Sequence, residues 1–93
     1  MIGVKTPPLD FAYIDGNHEA QHVLRDGLMA WQFLKPGGVM IFDDYTWSRG
    51  YPNQPAMTEK QLPKYGIDIF IDLMEGKFVG VTKTDQVIGV KAS

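Results

Sequence analysis

The chain has 93 residues, room for one small domain, and its 44% apolar content argues against disorder. A net charge of −2, with the Lys and Arg residues scattered, leaves no basic stripe for nucleic acid, and the lack of cysteine excludes disulfides and thiolate metal sites. No apolar run nears the roughly 18 residues of a membrane span and no signal-peptide pattern opens the chain, so a cytoplasmic protein without a membrane partner is expected.

Residues 1–10 read as a lead-in. Pro7 and Pro8 cannot donate backbone hydrogen bonds and favour an extended connector, and residues 2–4 suit a strand remnant. The run Phe11-Ala-Tyr-Ile14 is short, apolar and aromatic. It predicts a strand buried on both faces. Asp15-Gly16-Asn17 is turn chemistry.

A helix is predicted over about 19–34. Asn17 or His18 sits near its N-cap, and Glu19 suits the positive end of the dipole. Val23, Leu24, Leu28, Trp31 and Leu34 recur at helical spacing and form an apolar stripe, so Trp31 reads as core. Gly27 weakens the helix by roughly 1 kcal/mol relative to Ala and permits close packing on a sheet. Lys35-Pro36-Gly37-Gly38 ends it with a cation, a breaker and two flexible residues.

A second buried strand follows over 39–42 and runs into Asp43 and Asp44. Residues 43–55 form a polar, aromatic loop with Tyr45, Trp47, Arg49 and Tyr51, the length and character of a lid or binding loop. One helical turn is expected over 58–61. Ile67, Phe70, Ile71 and Met74 then predict a short amphipathic helix closed by Gly76. Strands over 78–82 and 87–90, joined by a short link, predict an antiparallel hairpin.

A strand, a crossover helix and a second strand make the first two strands parallel neighbours. Their carboxyl ends then share one rim of the sheet, where ligands of open α/β sheets bind. Asp15, His18, Asp43 and Asp44 are expected there. Adjacent like charges repel unless something positive neutralises them, and Mg²⁺ or a similar hard cation accepts such oxygens while keeping positions open. A hydroxyl beside that cation loses its proton more easily, and a neutral His18 can take it. Blander readings stand beside these: Asp15 as a turn cap, Asp43 and Asp44 as a solvated loop start, His18 as a capping or surface histidine, Arg49 as a solvated loop residue. Large aromatics in a polar loop, Tyr45 and Trp47, usually cover something.

The series Phe-Ala-Tyr-Ile-Asp-Gly-Asn-His, Val-Leu-Arg-Asp and Leu-Lys-Pro-Gly-Gly-Val-Met-Ile-Phe-Asp-Asp-Tyr-Thr-Trp, within residues 9–47, resembles the second half of a class I S-adenosylmethionine-dependent methyltransferase. The nearest type is the small-molecule O-methyltransferase with an Ile-Asp-Gly-Asp-His fourth strand and an Asp-Asp fifth strand. The resemblance implies an α/β, partial Rossmann-like fold whose strands correspond to 4-5-7-6 of the full order 3-2-1-4-5-7-6. It implies metal ligands at Asp15, Asp43 and Asp44 and a base at His18; the loop aromatics Tyr45 and Trp47 are the expected substrate contacts. Asn17 stands where the family more often has an aspartate.

The family's Gly-rich loop and ribose-binding acidic residue lie in an N-terminal half with no counterpart here. The whole chain, 1–93, is therefore expected to be a single truncated methyltransferase-like domain, inactive alone. Strand 11–14 becomes an edge, which invites pairing with a second copy in a homodimer, or with a separate chain carrying the N-terminal half. Two functions follow from the resemblance: the C-terminal, catalytic half of a metal-assisted O-methyltransferase acting on a small-molecule hydroxyl, or a non-enzymatic dimeric remnant without cofactor binding. An acidic-pocket phosphoacceptor domain ranks last, since no further strand with an acceptor aspartate and a lysine is evident.

Overall fold

Four apolar strand segments and two amphipathic helices leave few ways to bury the large aromatics, and the computed structural model shows which is taken. It describes residues 9–15, 19–47 and 58–92. In chain order these form β1 (Leu9–Ile14), α1 (Ala20–Phe33), β2 (Leu34–Phe42), a 3₁₀ turn (Glu59–Gln61), α2 (Pro63–Leu73), β3 (Phe78–Lys83) and β4 (Val87–Lys91). The sheet order is β1-β2-β4-β3. β1 and β2 are parallel; β4 runs antiparallel to both β2 and β3. This is the 4-5-7-6 arrangement with a terminal hairpin that the resemblance implies.

Alternation along the strands selects the core. Ala12, Met40, Phe42, Phe78 and Val87 are buried and meet Val23 and Trp31 from α1 and Ile67 and Phe70 from α2. The rings meet edge to face: Phe42–Phe70 at 4.9 Å, Trp31–Phe70 at 5.5 Å and Phe70–Phe78 at 5.6 Å between centroids. Each such contact adds about 0.5–1.5 kcal/mol beyond the area it buries.

Two glycines let the helices come this close. A Cβ on Gly27 would stand 2.9 Å from the Phe42 ring, so α1 lies directly on the sheet. A Cβ on Gly66 would stand 2.2 Å from the backbone carbonyl oxygen of Ala20, which brings α2 against the start of α1.

Three expectations need correction. Leu9 and Asp10 belong to β1 rather than to a lead-in. The segment 35–38 does not separate α1 from the second strand. Leu34 caps α1 in an extended conformation and already pairs with Leu9. The register then advances two residues along β1 (Leu9 to Phe11) against five along β2 (Leu34 to Val39), so Lys35 to Gly38 bulge from the ladder, with Gly37 at φ +85°. The breaker chemistry is expressed as a bulge because Pro36 has no N–H to give. Lys35 pairs with Asp10 across it.

The third concerns burial. The helices among the described residues cover one face of the sheet. On the other, Phe11 and Tyr13 are 51% and 46% exposed, and Val39, Ile41, Ile88 and Val90 are half-buried. Both α1 and α2 lie on the Phe42 side, so the strands are not buried on both faces within this part of the chain. The possible strand at 2–4 and the loop residues Arg49 and Tyr51 lie outside the described residues.

Gly66→Ala is expected to lower stability by about 2 kcal/mol, because the added methyl meets backbone that cannot rotate away and this outweighs the gain of roughly 1 kcal/mol in helix propensity. A shift of the urea midpoint to lower concentration at unchanged slope checks it; an unchanged midpoint would show that α1 and α2 sit further apart.

Candidate functional site

The parallel ladder between β1 and β2 continues one step past both strands. The Asp43 N–H donates to the Ile14 carbonyl at 3.1 Å. Asp15 and Asp43 therefore leave the sheet side by side. Successive side chains of an extended strand point to opposite faces, so Asp44 would turn away if β2 simply continued. It does not continue. Asp44 adopts φ +58°, a left-handed conformation that aspartate tolerates better than most residues. The chain reverses, with the Trp47 N–H donating to the Asp44 carbonyl at 3.0 Å and the Tyr45 N–H to the Asp85 carbonyl at 2.9 Å.

The result is a cluster in which a carboxylate oxygen of each of Asp15, Asp43 and Asp44 lies within 4.8 Å of the others. Asp15 is exposed, and Asp43 and Asp44 are half-buried. At this spacing in water-like surroundings each pair repels by roughly 1 kcal/mol, which nearby donors can offset. Among the described residues two meet Asp43: the Tyr13 hydroxyl donates to its Oδ2 at 3.0 Å and the Gln86 amide to its Oδ1 at 3.2 Å. The donor set is all oxygen, which suits a hard divalent cation such as Mg²⁺.

Beside the cluster is an open hollow of about 330 Å³ lined by Asp43, Asp44, Thr46, Trp47 and Asp85. The Thr46 hydroxyl donates to Asp85 Oδ1 at 3.2 Å. Trp47 is half-buried at its wall. Tyr45 is not part of it. The Tyr45 ring is buried in the core, and its hydroxyl donates to Asp68 Oδ1 on α2 at 2.7 Å. The ammonium groups of Lys64 and Lys83 sit 5.2 and 5.9 Å from its ring centre. Burial by itself would raise the Asp68 carboxyl's pKa, but hydrogen bonds from Lys64 and Tyr45 and the charges of Lys64 and Lys83 prevail and hold it below the ordinary value. His18 lies outside the described residues.

The three aspartates and Trp47 singled out in the sequence stand together at this rim, Tyr45 is buried against α2, and Tyr13, Thr46, Asp85 and Gln86 join them without having been singled out. Tyr13 was within reach of strand alternation, since it stands two residues before Asp15 on the same face. Asp85 and Gln86 were not, because their approach depends on the register that sets Val87 against Phe42.

Residues 3–45 match the model of a family described as a methyltransferase domain. The match takes in β1, α1, β2 and all three clustered aspartates, and it supports a methyltransferase domain. Over 71 residues the chain is also 31% identical to the uncharacterized protein R132 of Acanthamoeba polyphaga mimivirus. That alignment covers 75% of this chain and 28% of the viral protein, so the chain spans little more than a quarter of the curated relative it matches. No helix among the described residues is long and apolar enough to cross a membrane.

The Tyr13 proton is held more tightly than in free tyrosine, first by its hydrogen bond to Asp43, then by desolvation and the charges of Asp43, Asp15 and Asp44. A raised pKa means that the contact stabilises the fold below the unfolded value near pH 10 and that this contribution is lost as pH rises through the folded value. In an absorbance titration of tyrosinate, Asp43→Asn is expected to bring one of the four tyrosines to a lower pKa. An unchanged titration would mean that the Tyr13–Asp43 bond does not persist in solution.

Proposed function

We propose that this chain is the substrate-side part of a metal-assisted methyltransferase, which moves a methyl group from S-adenosylmethionine to the hydroxyl of a small molecule. One observation carries the reading: the carboxylates of Asp15, Asp43 and Asp44 converge at the carboxyl ends of two parallel strands, within the stretch that matches a methyltransferase domain. A divalent cation there supplies the positive charge that lets a neighbouring hydroxyl give up its proton near neutral pH.

The residues of the chain then divide the work. Asp15, Asp43 and Asp44 hold the cation. Tyr13 and Gln86 orient Asp43 by occupying one lone pair on each of its oxygens. Trp47 and Thr46 form a wall against which an apolar or aromatic acceptor rests. His18, three positions after Asp15 in the sequence, takes the acceptor proton. Groups that would grip the adenosyl and methionine moieties are not found among the described residues. They would come from a further stretch of polypeptide or from a separate chain, in keeping with the small share of the viral relative that this chain spans.

Calorimetry on the purified chain is expected to show Mn²⁺ or Mg²⁺ binding that falls at least tenfold in Asp43→Asn and Asp44→Asn, since each removes one anionic ligand. An absence of heat with both cations would remove the metal-assisted reading.

A second reading, a dimeric module that retains the fold without the chemistry, is favoured by the free edge. β1 pairs on one side only among the described residues, and Phe11 and Tyr13 are exposed along it. Two copies pairing antiparallel through β1 would cover these rings. Sedimentation at micromolar concentration is expected to give a dimer, and Phe11→Lys to give a monomer; a wild-type monomer would sink the pairing.

A further inference from the structure

The acidic tip depends on a residue in a conformation that L-amino acids avoid. With Asp44 at φ +58°, surrounding contacts have to hold the chain there. Several do so through the backbone: Asp43 N–H to Ile14, Tyr45 N–H to Asp85, and Trp47 N–H to Asp44. These do not depend on which side chain stands at 45. The next residue adds a contact of another kind. The Tyr45 hydroxyl donates to the Asp68 carboxylate at 2.7 Å in a part-buried setting, and charge-assisted bonds of this length are the stronger ones. Asp68 is anchored in turn, since Lys64 one turn earlier on α2 donates to its other oxygen at 2.7 Å and Lys83 on β3 lies 3.9 Å away.

The geometry points to Tyr45 and Asp68 as a positioning pair: the hydroxyl–carboxylate bond pins the ring of Tyr45 to α2 and so fixes the left-handed backbone of Asp44, which aims its carboxylate at Asp15 and Asp43. Asp68 stands 24 positions after Asp44 in sequence and is not a member of the cluster. The consequence for cation affinity rests on the reading of that cluster as a metal site; the consequence for backbone conformation does not.

Tyr45→Phe tests it, because the ring and its packing remain while the donor is lost. Nuclear magnetic resonance is expected to show the Asp44 backbone shifts leaving left-handed values, and Mn²⁺ titration an affinity about tenfold weaker than wild type, the usual effect of removing a supporting partner. Asp68→Ala should reproduce both changes. Asp68→Asn, which keeps an acceptor oxygen, should restore most of both. If wild type takes up no Mn²⁺ but the Asp44 shifts still move in Tyr45→Phe, the metal reading falls and the positioning pair stands. Wild-type Asp44 shifts in Tyr45→Phe overturn the pair, as does undiminished Mn²⁺ affinity in that variant when wild type binds.

Discussion

The parallel pairing of β1 with β2 is the constraint on which the rest of the molecule depends. It joins segments about thirty residues apart and needs α1 as a crossover. Because the strands run the same way, both end at one rim. The ladder's extra rung, from Asp43 N–H to the Ile14 carbonyl, sets Asp15 and Asp43 next to each other. Antiparallel strands in the same register would have sent the two carboxylates to opposite ends of the sheet.

The aromatic core serves this pairing from one side. Phe42 is the inward residue just before the acidic tip, and it is enclosed by Gly27 of α1 and the Phe70 ring of α2. The last residue of β2 is thus fully buried, while its successor Asp43 is half-buried and reaches the rim. A rigid anchor immediately before a charged tip is what a site needs if carboxylates are to be held within a few ångströms of one another. The opposite face, with Phe11 and Tyr13 exposed, gives the sheet no comparable support among the described residues.

The hairpin and α2 contribute to the rim from a distance. Gln86 reaches Asp43, the Asp85 carbonyl receives the Tyr45 N–H, and Asp68 receives the Tyr45 hydroxyl. The segment after β2 is therefore tied to both the hairpin and α2. The family match ends at residue 45, yet the contacts that shape the match's last residues come from residues 68, 85 and 86.

Much of this was legible in the residues themselves. Short apolar runs ending in aspartate, with a helical stripe between them, specify strand, helix and strand, and the crossover fixes their direction; from that alone Asp15 and Asp43 had to meet. Tertiary structure decided the rest, because those features depend on contacts between segments whose separation carries no signal in composition or period. Tyr45 looked like a loop aromatic and became core once α2 offered Asp68 as a partner. Pro36 and the glycines after it looked like a boundary and became a bulge once Leu34 had paired with Leu9. Asp44 took a left-handed backbone only because β1, α2 and the hairpin close in on the residues beside it, and no local pattern encodes three neighbours arriving from different parts of the chain.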